Sequence, residues 1–128
     1  MISKQACIGL LVAITVVLIA VGFWLPRIPQ PQSYHLFADR RTFAGIPNFA
    51  NVISNLPFAA VGLSGLVFLL RADSAKYFLD RRERWPYLIV FAGLVLTAFG
   101  SSYYHLQPDN ASLLWDRLPM VIVFMSLA

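Results

Sequence analysis

Charge is what this chain has least of. Charged side chains make up 12% of its 128 residues, while 59% are hydrophobic. Soluble domains carry about twice that charged share and an apolar share nearer 45–50%. In water, such a composition would expose contiguous apolar patches. A soluble domain is therefore excluded, and lipid is the expected solvent. Cysteine is nearly absent too. Cys7 stands alone within an apolar run, so no disulfide framework can form inside the chain, and the residue reads as a small apolar filler. Histidine occurs only as His35 and His105. Catalytic zinc usually takes three protein ligands, so these residues alone cannot supply a three-histidine site. No internal repeat or low-complexity tract is present.

The little charge there is lies unevenly. The formal net charge is +4, and Arg71, Lys76, Arg81, Arg82 and Arg84 crowd one short segment, residues 71–85, between apolar runs. That pattern marks a cytoplasmic membrane loop rather than a nucleic-acid-binding face; no nucleic-acid partner is expected. The amino terminus, with Lys4, then lies on the same side. Residues 26–48 and the turn at 107–111 lie outside. Arg27, Arg40 and Arg41 reduce the contrast.

Four apolar runs follow one another. Residues 6–25 contain no charge and are long enough to cross a bilayer core of about 30 Å. A cleaved signal peptide is the competing reading. Its apolar region is shorter, and a small-x-small cleavage site should follow; here LPRIPQPQ follows. Residues 1–25 are thus expected to be a retained leading anchor helix, and residues 26–128 a second unit. Pro26, Pro29 and Pro31 keep the start of the connector from forming a regular helix. The run at 49–70 is polar at its start, with Asn51, Ser54 and Asn55, and Pro57 can bend it. The run at 86–106 carries Gly93, Thr97, Ser101 and His105 at every fourth position, a small-and-polar ridge on one helix face. Close packing through small residues accounts for the glycine and threonine but not for the histidine. After the break QPDN, where Asn110 or Ser112 can cap a helix, the last run begins at about Ser112 and is only just long enough to cross. The expected fold is all-α: a multi-pass transmembrane bundle of about four helices.

Ser101 and His105 share a face, and the hairpin at QPDN folds Asp116 back toward their depth. A carboxyl there is costly, about 2.5–3.5 kcal/mol at mid-helix and less toward the ends. It can pair with Arg117 or another arginine, orient His105 by a hydrogen bond, or act on a metal-bound water with His105 as one ligand.

The motif Gly100-Ser101, His105, then Asp116, Leu118-Pro119-Met120, preceded by Asn51, Ser54 and Asn55, resembles that of the alkaline ceramidases. It looks most like the bacterial, alkaline phytoceramidase-like members, over residues 43–128. The resemblance implies a seven-helix membrane fold, in a superfamily that includes progestin-type receptors, and a zinc-dependent hydrolysis of ceramide-like N-acyl lipids. It makes His105 the first zinc ligand, Asp116 the general acid/base, Ser101 a partner of the water or oxyanion, and Asn51, Ser54 and Asn55 a supporting polar cluster. The family's later H-x3-H, which supplies two further zinc ligands, would fall beyond residue 128. The chain is therefore expected to be the amino-terminal part of the fold and inactive alone. The family's calcium site is not expected: Pro47 or Asn48 stands where its acid would be, and Asp39 is the connector's only carboxylate. The alternative is a non-catalytic lipid-binding or receptor-like membrane protein of the same superfamily. The bilayer is the partner in either case.

Overall fold

The computed structural model describes residues 3–26 and 28–127; Arg27, counted above among the connector's arginines, lies outside them. Among the described residues there are five α-helices and no strand: α1 Lys4–Trp24, α2 Phe49–Ile53, α3 Leu56–Leu70, α4 Arg84–Leu106 and α5 Ser112–Ser126. Three segments are long and apolar enough to cross a membrane: Lys4–Trp24, Phe49–Leu70 and Arg81–Leu106. The chain is an all-α, membrane-type helical bundle.

The helix starts are served in different ways. The Ser3 hydroxyl accepts the Ala6 N–H at the start of α1. At 21 residues, α1 is about 31 Å long, and it buries none of its residues, as a helix facing lipid on every side would. The expected bend in the second run is a break. The chain leaves α-helix at Ser54–Asn55 and resumes at Leu56, with Pro57 in the first turn of α3, where its missing N–H costs nothing.

The bundle is ordered α3, α4, α5, with α4 in the middle. Glycines set how closely the axes approach. A Cβ on Gly62 would lie 2.7 Å from Val95 and 2.8 Å from the Phe91 carbonyl oxygen, so α3 rides directly on the α4 backbone. On the other side, Gly93 faces Val123 and Gly100 faces the Trp115 carbonyl. These contacts fix an antiparallel register of α4 and α5. Pro119 lies inside α5 and cannot donate to the carbonyl four residues earlier. That carbonyl belongs to Trp115, the group that Gly100 meets. Proline exposes the oxygen, and the absence of a side chain at Gly100 lets the neighbouring helix come up against it.

The cap of α5 differs from the expected one. Asp109, rather than Asn110 or Ser112, does the capping: its Oδ1 accepts the N–H groups of Ala111 (2.8 Å) and Ser112 (2.6 Å), and Ser112 Oγ accepts the Asp109 N–H. A carboxylate at a helix start also gains from the positive end of the peptide dipoles. Asn110 ties the connector instead, accepting from Gln30 N–H at 2.7 Å and donating to the Gln30 carbonyl. The Ser112 N–H is the largest cause holding the Asp109 carboxyl below its ordinary pKa, followed by its hydroxyl. A carboxyl depressed by folding stabilises above its unfolded value, about 3.9, and that contribution is lost as pH falls through the folded value. The α4–α5 turn is therefore expected to hold at pH 5 and to loosen below about pH 4. Acid titration of helicity and Trp115 emission should show this loosening, and Asp109→Asn should remove that part of the transition.

Candidate functional site

The site lies at the end of the bundle where α4 stops and α5 starts. Gly100 opposite Trp115–Asp116 places Asp116 at the level of Gly100. His105 is five residues further along α4, about 7.5 Å along the axis. Ser101 lies one turn before His105 on the same face of α4. Ser101 is buried at 7% exposure. The Asp116 side chain is 14% exposed and reaches Arg117 only loosely, at 3.8 Å, where the arginine is itself largely in the open. Arg117 donates to the Tyr34 hydroxyl and lies over the Tyr34 ring.

The connector is a strap across this end, not a loose loop. His35, 4% exposed, shares a 2.9 Å hydrogen bond between its Nδ1 and the Tyr104 hydroxyl. Two residues on, the Phe37 ring stands edge-on to His105 at 4.5 Å and to Tyr104 at 5.4 Å. The pair pinches consecutive α4 residues from above. Asn48, in the left-handed conformation that asparagine tolerates, donates to the His105 carbonyl at 2.8 Å. That bond ties the start of α2 to the end of α4. Asp39 completes the strap: it accepts from Arg41 at 2.6 Å and from the Ala50 N–H at 2.8 Å. The Arg41 hydrogen bond, then the Ala50 one, keep its carboxyl below the usual value.

The three polar residues at the start of the second run bond locally. Asn51 donates to the Asp39 carbonyl (3.2 Å), Ser54 to the Asn51 carbonyl (2.8 Å), and the buried Asn55 to the Asn51 and Val52 carbonyls. The helix break at Ser54–Asn55 turns the Asn55 N–H from the Asn51 carbonyl to that of Val52, and the Ser54 and Asn55 side chains donate to the Asn51 carbonyl in its place. Ser54 itself is exposed and lines an open groove with Phe43, Phe49, Ile53 and Pro57.

No family model, curated protein or solved structure gave a match. The site is therefore read from its own chemistry. His105 Nδ1 is buried with no hydrogen-bond partner, although a buried imidazole nitrogen left alone costs about 1–3 kcal/mol. A metal or a polar ligand group at that nitrogen would remove the cost, so this one donor fits zinc. The donor set does not close: among the described residues, no three of His, Cys, Asp and Glu gather closely enough to hold an ion.

Sequence reasoning missed His35, Phe37, Asn48 and Tyr104. The signal was thin: alternating His35 and Phe37 before a Gly-Pro turn, and a Tyr beside the candidate His. Tyr104 has a testable weight. In either tautomer of His35, Nε2 is buried without a partner, so Nδ1 carries the ring's one bond. Tyr104→Phe would leave both nitrogens unpaired, and is expected to destabilise the fold by about 1–3 kcal/mol, read by denaturant unfolding in detergent.

Proposed function

We propose that this chain belongs to a membrane-embedded, zinc-dependent amide hydrolase that cleaves ceramide-like N-acyl lipids. The observation that carries the reading is the unpartnered, buried Nδ1 of His105 at the end of α4, where the antiparallel register with α5 brings Asp116 to the level of Gly100. His105 would hold zinc as one ligand, and the remaining ligands would have to come from outside the described residues. Zinc, when bound, lowers the pKa of water from 15.7 to about 7 and polarises a carbonyl.

The chain's own groups divide the rest of the work. Asp116 has no hydrogen-bonded cation to neutralise it, so it is available to accept the proton of an attacking water and deliver it to the leaving amine. The Ser101 hydroxyl, buried one turn from His105, can donate to the oxygen on which negative charge develops. The Phe37 ring and the Asn48 bond hold the ring and backbone of His105. Because the site borders an apolar bundle, a lipid amide can enter sideways from the bilayer.

In this reading residues 71–85 and the amino terminus face the cytoplasm, with residues 26–48 and the 107–111 turn outside. The support is the concentration of Arg71, Lys76, Arg81, Arg82 and Arg84 in one loop. The open donor set favours a second reading, a lipid-binding or receptor-like protein without turnover. Zinc content and cleavage of a fluorescent N-acyl sphingoid base separate the two. The hydrolase reading expects about one zinc per full-length protein, measurable release of fatty acid, and loss of both in His105→Ala. Wild-type protein that binds no zinc and turns over no amide would leave only the second reading.

A further inference from the structure

The opposite end of the bundle carries a second feature, independent of the proposed hydrolase. An open groove of about 410 Å³ runs along the outward face of α3, lined by Leu63, Ser64, Val67 and Phe68 and ending at Arg71. Its body is apolar and its head is a guanidinium. Arg71 is held there by its backbone: its carbonyl accepts both the N–H (3.1 Å) and the hydroxyl (2.8 Å) of Ser74, which is fully buried. The partial negative end of α3 would oppose an anion at this point. It is offset, because Ser74 Oγ and Arg84 Nη2 both donate to the Leu69 carbonyl.

The loop's acids are already committed. Asp73 pairs with Lys76 at 3.2 Å, Asp80 accepts the Arg82 N–H at 2.8 Å, and Glu83 accepts the Leu79 N–H at 3.1 Å. Among the described residues, the ion pairs are Asp39–Arg41, Asp73–Lys76 and Asp116–Arg117. In this loop Arg71, Arg81, Arg82 and Arg84 are left without a carboxylate, and Arg84 is turned onto the Leu69 carbonyl. Tyr77 packs on Phe68 at 5.5 Å with the Lys76 ammonium 5.1 Å from its ring centre, and Leu79 and Trp85 are exposed beside it. Aromatic and basic side chains in this combination settle at the headgroup level of a bilayer.

We propose that the α3 groove is a binding site for an anionic phospholipid, its phosphate at Arg71 and one acyl chain along Leu63, Val67 and Phe68. Charge complementarity selects this occupant. A neutral lipid would fill the apolar body equally well but leave the unpaired guanidinium without an anion. A basic residue near a bilayer surface contributes about 1 kcal/mol toward anionic lipid, equivalent to roughly fivefold in affinity.

Native mass spectrometry of the full chain in detergent, titrated with phosphatidylglycerol and phosphatidylcholine of matched acyl chains, tests the site. Wild-type protein is expected to retain phosphatidylglycerol about fivefold better, less so as salt is raised. Arg71→Gln should bring the ratio near one, and Arg71→Lys should keep most of the preference. A ratio near one in wild type would overturn the proposal. So would a preference that survives Arg71→Gln but disappears in Arg81→Gln/Arg82→Gln, since the headgroup would then sit on the loop and not in the groove. If Arg71→Gln does not fold, Val67→Trp fills the groove and reads the same point: lost preference supports the site, and unchanged preference removes it.

Discussion

Gly100→Ala is expected to pull α4 and α5 apart and to cost the fold at least about 2–3 kcal/mol, the upper part of the range for overpacking. The new methyl would fall on the Trp115 carbonyl oxygen and within 2.8 Å of the carbonyl carbon. Backbone atoms cannot rotate away as a flexible side-chain end can. The sign is informative, because glycine to alanine within a helix is by itself favourable by about 1 kcal/mol. Gly9→Ala in α1, where nothing lies within 4 Å of the added carbon, is the matched control and should be neutral or stabilising. Unfolding in mixed micelles, followed by far-ultraviolet circular dichroism and Trp115 emission, measures both. Equal behaviour of the two variants would mean that the helices do not meet at Gly100. The same substitution should impair any chemistry at this end of the bundle, since the register that sets Asp116 beside the turn of Ser101 is fixed there.

That register was partly visible in the sequence. Apolar runs between Pro, Gly and charged segments gave the three segments long enough to cross, because a bilayer demands about 20 apolar residues from any helix that crosses it; the fourth run forms α5, of 15 residues, and is not among them. Gly93, Thr97 and Ser101 at every fourth position gave a buried stripe of α4, since helical period alone decides which residues share a face. The link between Pro119 and Gly100 was present in the residues, but only a structure shows which glycine of α4 stands opposite the carbonyl that a proline in α5 sets free. The strap was not legible at all. His35 and Tyr104, Gln30 and Asn110, and Tyr34 and Arg117 are 69, 80 and 83 residues apart, and no periodicity reports such pairs. The local bonding of Asn51, Ser54 and Asn55 follows from a helix break whose position Pro57 suggested only approximately.

Asp116→Asn carries the largest expected effect on activity. In the hydrolase reading the carboxylate moves the proton that water must lose and the leaving amine must gain, a contribution of about 10²–10⁴-fold in rate. An amide keeps the size and shape of the side chain but cannot accept that proton at neutral pH. Stability should hardly change. The ion partner of Asp116 is Arg117 at 3.8 Å, whose own side chain is largely exposed; a contact that long, with a solvent-facing arginine, holds the carboxylate only weakly, and the amide keeps its volume. Zinc content should persist, because the expected ligand is His105. In the zinc-loaded full-length protein of the hydrolase reading, the variant should therefore unfold like wild type, keep its metal, and lose at least about a hundredfold in cleavage of an N-acyl sphingoid base. A variant as fast as wild type would remove Asp116 from the chemistry and leave the carboxylate as an interfacial partner of Arg117. A variant that lost metal and activity together would instead make Asp116 a ligand, and the proton transfer would then need another base on α4 or α5.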